Sequence, residues 1–287
     1  METVFKTHRV DIDYIWGKEF YIVPFGDVHR DTPSCDVDRW KWFLQGCKKL
    51  PQDRTYYIGM GDFNDFASSR EQEELRHSKI HDQTRDKFDL IVQADNRKFA
   101  QEISFMRGHL LGLLDGNHNW TFRDGTTATQ DLCDRMDAPY LGWLTHLTMN
   151  IAVKTSKGRK RGNSINLTII ACHGKAGGKL MGTSINQVDD LTRIFPVADL
   201  YIEGHDHQRY AVPKSILMAD QKGNIKQKRQ MISRSGSFKK GFCEGISGYE
   251  VGRLLRPSDL GGIIFEVSLH RDFRETDRLI LDIKAII

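Results

Sequence analysis

Five short segments of the chain combine aspartate, histidine and asparagine at spacings that suit metal binding. They are Asp27-Val28-His29, Gly61-Asp62, Gly116-Asn117-His118, His173-Gly174 and Gly204-His205-Asp206-His207. Their oxygen and imidazole donors suit hard or borderline divalent ions and disfavour Cu(I). Two such ions held close together favour attack of an activated hydroxide on phosphorus. These residue types therefore predict a site that hydrolyses phosphate esters.

Most of these segments follow a run of apolar residues, where a strand is expected to end. The strands concerned are predicted at 19–25, 56–58, 110–114, 164–172 and 199–203. Loops at strand ends are where a rigid scaffold presents functional groups. Glycines at positions 26, 61, 116 and 204 precede the polar residues and would permit tight turns.

The remaining pattern predicts the layers that carry these loops. Further strands are expected at 9–16, 144–155, 209–218, 229–235, 261–270 and 277–286, with helices at 36–50, 126–137, 184–195 and in the second half of 68–107. The β-α-β alternation followed by consecutive strands predicts an α/β (α+β) fold of two stacked mixed sheets with helices outside. Residues 1–287 are expected to form a single domain, in which 68–107 could form a helical cap.

Amphipathic spacing supports the helix in the second half of 68–107. Its apolar residues fall roughly on one stripe, made by Phe88, Ile91, Val92, Phe99 and Ile103. A stripe of this kind is typical of a helix that packs one face on a core.

Composition excludes some classes of protein. The chain has 287 residues, of which 39% are apolar and 28% charged, and its net charge of +4 is below that of a dedicated nucleic-acid binder. The five cysteines form an odd number without CxxC spacing, which argues for reduced thiols and against a cysteine zinc site. No apolar run is long enough to cross a bilayer, and the first residues lack a secretory stretch. A cytoplasmic protein with no membrane partner is therefore expected.

The order D-x-H, G-D-x-x-D, G-N-H, H-G and G-H-x-H resembles that of the calcineurin-like metallophosphoesterases, from about Phe20 to Gln208. The resemblance implies an αββα sandwich and two divalent ions, Mn²⁺ first, with Fe or Zn²⁺ as alternatives. One metal would be held by Asp27, His29 and His207, the other by Asn117, His173 and His205, and Asp62 would bridge them. An anionic oxygen shared by two cations offsets their repulsion at about 3.5–4 Å.

The resemblance also implies two catalytic residues. His118 would stabilise or protonate the leaving oxygen while a hydroxide between the metals attacks phosphorus. Asp65, the last residue of G-D-x-x-D, would orient His118, as carboxylates that support a metal site often do. The alternative for Asp65 is a helix N-cap or turn residue.

The residues after G-N-H depart from the family pattern. Asn119 and Trp120 stand where many members carry an acid, and no arginine follows Asp65 closely, which argues against a Ser/Thr protein phosphatase. Trp120 could stack a nucleic-acid base, with Arg123 beside it, or could pack under its loop.

Basic residues flank several of the loops. The glycine-rich loop after His173 resembles that of bacteriophage-type members, and its Lys175 and Lys179 could bind phosphate or lie in a connector. A basic hairpin at 154–161 and a basic loop with Arg234, Lys239 and Lys240 could contact a nucleic-acid backbone or be solvated.

The leading functional hypothesis is a phosphodiesterase or nuclease that acts on nucleic acid (DNA or RNA) or nucleotides. The alternatives are a phosphomonoesterase of nucleotides or small molecules and a non-catalytic scaffold on the same fold. The sequence leaves the oligomeric state open.

Overall fold

Two mixed β-sheets lie face to face, with α-helices on their outer sides, in the computed structural model. The model describes residues 4–67, 71, 74–75, 82–154, 160–175, 178–219, 223–245, 249–272 and 278–287. This architecture confirms the predicted fold class. No helix within these described ranges is long and apolar enough to span a membrane.

Thirteen strands form the two sheets in the described ranges. They are β1 (Phe5–Ile15), β2 (Phe20–Phe25), β3 (Thr55–Gly59), β4 (Leu110–Leu114), β5 (Tyr140–Gly142), β6 (Leu144–Lys154), β7 (Lys160–Cys172), β8 (Leu200–Glu203), β9 (Arg209–Ala219), β10 (Ile225–Ser237), β11 (Gly261–Gly262), β12 (Ile264–Asp272) and β13 (Arg278–Ile286). The six-stranded sheet has the order β13-β12-β2-β3-β4-β5. The seven-stranded sheet has the order β1-β6-β7-β8-β10, with β9 and β11 both paired to β10.

Five α-helices flank the sheets in the same ranges. They are α1 (Val37–Lys49), α2 (Asp82–Glu102), α3 (Ala128–Met136), α4 (Met181–Ile194) and α5 (Tyr249–Arg253). α1 begins where the Asp36 side chain accepts a hydrogen bond from the backbone N–H of Arg39 at 3.0 Å. α3 begins with a capping box between Thr127 and Gln130.

The main core lies between the sheets. β6 alternates between buried and half-buried residues along its whole length, which is the pattern of a strand with one face on a core. Its buried side chains, such as Met149, pack in one cluster with Ile22 and Phe265 of the opposite sheet. A second cluster joins α1, through Trp40, to the outer face of the six-stranded sheet, and a third joins α4, through Val188, to the other sheet.

Strand direction explains why the polar loops meet. β2, β3 and β4 are parallel neighbours, so their carboxyl ends lie at one edge of the six-stranded sheet. β7 and β8 are also parallel neighbours in the other sheet. The two sets of ends come together, because Asp62 after β3 lies beside His173 after β7 and His205 after β8.

Some local predictions differ from the structure. β5 and α5 were not expected, since three and five residues carry too little periodicity to be recognised. On the predicted stripe, Val92 and Phe99 are buried, but Phe88 is 37% and Ile91 55% exposed. Only the second half of α2 packs on the sheet core, so its first half needs no continuous apolar face. Residues 68–70, 72–73 and 76–81 of the expected cap lie outside the described residues.

Candidate metal centre

The structure brings the predicted metal ligands into two adjoining groups. Donor atoms of Asp27, His29 and His207 lie within 4.8 Å of one another, and so do those of Asp62, His173 and His205. Asn117 joins the second group, with its Oδ1 2.9 Å from His173 Nε2. We call these seven residues the donor cluster. It is a clustered set of histidine and aspartate groups that could hold metal ions.

Asp62 lies between the two groups. Its Oδ2 is 3.2 Å from His173 Nε2 and 3.8 Å from His29 Nε2. In the first group, Asp27 Oδ1 is 3.6 Å from His207 Nε2. One carboxylate therefore faces imidazoles of both groups, as a bridging ligand would.

Several buried atoms of the donor cluster lack a partner that would satisfy them. Asp27 Oδ1 and His29 Nε2 are buried and make no hydrogen bond with any described residue. His173 Nδ1 donates to the Met60 carbonyl at 2.8 Å, so in the neutral ring Nε2 is an acceptor facing Asp62 and Asn117. Buried polar atoms without partners are rare, and converging acceptors suit a cation. The residues present therefore fit a metal site.

The electrostatics of the second group point the same way. Burial lowers the pKa of His173, but the charges of Asp62 and Asp27 together with the hydrogen bonds to Asp62 and to the Met60 carbonyl outweigh burial and raise that pKa to about 9. Burial, reinforced by His173, lowers the pKa of His205 to about 3. The field at His173 thus favours a positive charge, whereas His205 is held neutral, which is the state in which imidazole binds metal.

Backbone conformation singles out the same residues. Seven non-glycine residues of the described chain have a positive φ, and five of them belong to the donor cluster. These five are Asp27 (47°), His29 (46°), Asp62 (48°), His205 (67°) and His207 (53°). Left-handed backbone is uncommon outside glycine and persists where surrounding contacts fix it, often at functional sites.

Main-chain hydrogen bonds fix the loops after β2 and β3. Asp27 N donates to the Gly61 carbonyl at 3.0 Å, and Val28 N and His29 N donate to the Asp62 carbonyl at 2.9 and 3.1 Å. A side-chain Cβ at Gly116 would lie 1.9 Å from Asp62 Oδ1. This glycine of G-N-H is required because the next loop passes against the Asp62 carboxylate.

Asp65 lies between two histidines. Its Oδ1 contacts His118 Nδ1, and its Oδ2 is 3.2 Å from His29 Nδ1. Burial lowers the pKa of His118, but the hydrogen bond to Asp65 and the charge of Asp62 raise it above its ordinary value. These contacts place Asp65 where it can orient His118, and the same carboxylate also orients His29.

The assignment of Arg234 to a basic loop is wrong, whereas the strand predicted at 229–235, which includes it, is present. Arg234 lies in β10, is fully buried and is paired with Glu203 at 3.0 Å. Lys239 does follow β10 in a loop, and its Nζ lies 3.5 Å from Asp65 Oδ2. No local pattern marks Glu203, because it approaches the donor cluster through the pairing of β8 with β7 and β10.

The residues considered for substrate contact are dispersed. Trp120 is 7% exposed and its Nε1 donates to Asp89 at 2.6 Å, so the structure shows the packed alternative. Arg123 pairs with Asp86 at 3.4 Å. Lys175 and Lys179 are exposed in the loop after His173. Most of the basic hairpin at 154–161 lies outside the described residues.

Comparison with known proteins gives only loose structural likeness. No family model and no curated protein matches the chain. Vps29 of Chaetomium thermophilum is 11% identical over 93% of this chain and 97% of its own, with a TM-score of 0.34. A predicted phosphoesterase of Streptococcus pneumoniae TIGR4 is 10% identical over 92% and 99%, with a TM-score of 0.35. GAP50, the anchor in the inner membrane complex of Plasmodium, is 13% identical over 93% and 89%, with a TM-score of 0.39.

Proposed function

We propose that this chain is a dinuclear metallophosphoesterase of calcineurin-like, bacteriophage type that hydrolyses phosphodiesters of nucleic acids or nucleotides. The observation that supports it is the convergence of five separate loops on one cluster of aspartate, histidine and asparagine donors, two of whose buried atoms make no hydrogen bond with a described residue. Asp27 Oδ1 and His29 Nε2 carry this most directly, since both are buried and make no hydrogen bond with a described residue.

The donor cluster divides naturally between two ions. Asp27, His29 and His207 would hold one, and Asn117, His173 and His205 the other, with Asp62 shared between them. When bound, two divalent ions, of which Mn²⁺ is our first choice before Fe or Zn²⁺, neutralise charge on the phosphate and lower the pKa of water.

The role proposed for His118 follows from its contacts. The Asp65 carboxylate contacts Nδ1, which would fix the ring and leave Nε2 to face substrate. Because its pKa is raised, the ring holds its proton to higher pH than an ordinary histidine does, and it can give that proton to the departing oxygen. His118 is therefore proposed as a general acid and Asp65 as the residue that positions it.

Charge supports a polyanionic substrate. The net charge is +4, and the exposed Lys175 follows ligand His173 by two residues. Nucleic acid or nucleotide diesters are the substrates that suit such a surface best.

The cysteines support a cytoplasmic location. All five cysteines are free, and four of them are buried. Reduced thiols are usual in the cytosol and unusual in secreted proteins.

The test is hydrolysis of bis(p-nitrophenyl) phosphate and p-nitrophenyl phosphate, measured in parallel with added Mn²⁺. His118→Ala is the active-site variant, and His270→Ala is the matched control because His270 is an exposed histidine on β12. Diester turnover that is lost in the first variant and kept in the second supports the proposal.

Two other results would change the proposed function. Turnover of the monoester alone would establish a phosphomonoesterase instead. If neither ester were hydrolysed with Mn²⁺, Fe²⁺ or Zn²⁺, the proposed enzymatic activity would be contradicted. The remaining candidate function would then be a non-catalytic scaffold on this fold.

A further inference from the structure

A buried ion pair lies directly behind the donor cluster. Arg234 is 0% and Glu203 4% exposed, and Arg234 Nη2 lies 3.0 Å from Glu203 Oε2. The two residues are register partners on the parallel strands β8 and β10. Removing two charges from water is costly unless their remaining donors and acceptors are also used. The contacts of this pair show where most of those groups are used, although Arg234 Nε and Glu203 Oε2 meet no hydrogen-bond partner among the described residues.

Arg234 reaches both loops that leave the seven-stranded sheet. Its Nη1 donates to the carbonyl of Gly204, the residue before His205. The same Nη1 lies 3.3 Å from the carbonyl of Lys175, two residues after His173. One guanidinium therefore connects the loop of one candidate ligand with the loop of the other.

Glu203 connects the same loops from its carboxylate. Oε1 accepts a hydrogen bond from the backbone N–H of Lys175 at 3.2 Å. Gly174 has a φ of +89°, and a Cβ there would lie 2.3 Å from Glu203 Oε1. The glycine of the H-G motif is thus needed for the Glu203 carboxylate to reach the loop.

Asp206 extends the network to the outer side of its loop. Its Oδ2 accepts from Arg256 Nη2 at 2.9 Å and from the Ser184 hydroxyl of α4. The same oxygen lies 4.0 Å from Arg234 Nε. The residue between His205 and His207 is therefore held by the neighbouring helix and by two arginines.

We infer that Glu203 and Arg234 are positioning residues of the metal centre. They fix His173 and His205 relative to each other through the Lys175 amide and the Gly204 carbonyl, and they touch neither substrate nor metal. The inference rests on the proposed function, because it takes the donor cluster to bind metal.

The planar fork of Arg234 is essential to this role, because it spans two carbonyls and a carboxylate at once. Lysine keeps the charge but offers a single compact ammonium group without that geometry. Arg234→Lys should therefore behave like Arg234→Met. A wild-type affinity in Arg234→Lys would show that charge alone suffices and would overturn the positioning role.

The experiment measures the affinity for Mn²⁺ directly, by isothermal titration calorimetry of the metal-free protein. Arg234→Met and Glu203→Gln should each weaken Mn²⁺ binding by about 10–100-fold, the usual effect of losing a residue that supports a metal ligand. Glu203→Gln keeps the shape of the side chain and an acceptor for Lys175 N, so this variant should fold. It therefore still tests the inference if Arg234→Met does not fold. Arg229→Met is the matched control, because Arg229 lies on the same strand in an exposed pair with Asp282.

The melting temperature of each variant, measured in EDTA so that no metal is bound, distinguishes residues that position the metal ligands from residues that only stabilise the fold. A lower melting temperature with unchanged Mn²⁺ affinity would overturn the inference and leave a purely structural pair. Unchanged affinity with unchanged stability would overturn it as well. A wild-type protein that binds no Mn²⁺, Fe²⁺ or Zn²⁺ would instead refute the proposed function itself.

Discussion

The donor cluster is supplied by loops of the two sheets, and these two halves are held by different means. The first half, from the six-stranded sheet, contains Asp27, His29, Asp62 and Asn117. The second half, from the seven-stranded sheet, contains His173, His205 and His207. The loops after β2 and β3 are locked by main-chain hydrogen bonds, such as Asp27 N to the Gly61 carbonyl at 3.0 Å. The loops after β7 and β8 also have main-chain hydrogen bonds, such as Gly204 N to the Cys172 carbonyl at 3.2 Å, but they add buried side chains that bridge them, chiefly Glu203 and Arg234 at 3.0 Å. The first half therefore depends on close backbone approach and on glycine, whereas the second depends on charges supplied from neighbouring strands.

Gly116→Ala should break the first half most severely. The new Cβ would lie 1.9 Å from Asp62 Oδ1 and 2.4 Å from Asp62 N, so the shared carboxylate must move. We expect Mn²⁺ binding to be lost and stability to fall by about 1–3 kcal/mol, as is usual when a packed site is overfilled. Metal titration and chemical denaturation measure the two effects.

Gly46→Ala is the matched control for that substitution. Gly46 lies in α1, and a Cβ there meets no atom within 4 Å. Alanine should raise stability by about 0.5–1 kcal/mol, because glycine loses more backbone freedom in a helix. Equal metal affinity in the Gly116 variant and the wild type would show that the first half tolerates displacement of Asp62.

His118→Ala should separate catalysis from metal binding in both halves. His118 is in contact with Asp65, and it does not belong to the donor cluster. We expect kcat for the diester to fall by about 10²–10⁴-fold, the usual contribution of a general acid. Mn²⁺ affinity should stay within about twofold of wild type, and a large drop in affinity would make His118 a ligand instead.

Asp65→Asn tests the role of the carboxylate that contacts both His118 and His29. The hydrogen bond to Asp65 raises the pKa of His118, so the proton on His118 is lost only as the pH rises through that raised value. Without the carboxylate the pKa falls, and the alkaline limb of the kcat profile should move to lower pH. If the alkaline limb of the kcat profile stayed at the wild-type pH, Asp65 would not control the pKa of His118.

Trp120→Phe should have the smallest effect on the site. The indole Nε1 donates to Asp89 at 2.6 Å, away from the donor cluster, so its loss should cost about 1–3 kcal/mol of stability. The diester kcat and KM should not change. A rise in KM for an oligonucleotide, with the fold intact, would restore the stacking interpretation of Trp120.

The difference between the halves also explains what could be predicted from sequence. The candidate ligands form short motifs after apolar runs, and the parallel order of β2, β3 and β4 brings three of those motifs to one edge. Glu203 and Arg234 are invisible to such reasoning, since they meet only through the register of β8 and β10. Arg234 was therefore predicted both in a strand at 229–235 and in a basic loop, and neither pattern indicates that it is the buried cation that connects two ligand loops.

Local signals failed where tertiary contacts decide the outcome. The period of α2 predicted a continuous apolar stripe, but Ile91 is 55% exposed because only part of that helix meets the sheet. The positive φ of Asp27 and His205 cannot be located from residue type alone, even though aspartate and histidine adopt it more often than most residues, since it is imposed by the contacts that close the site.

The central claim is that the donor cluster holds two metal ions that share Asp62. A crystal grown with Mn²⁺ and measured at the manganese absorption edge tests it most directly, because the anomalous signal locates each ion. We predict two peaks, one among Asp27, His29 and His207 and one among Asn117, His173 and His205, with Asp62 between them. No peak in the cluster, or manganese bound only elsewhere, would contradict the account.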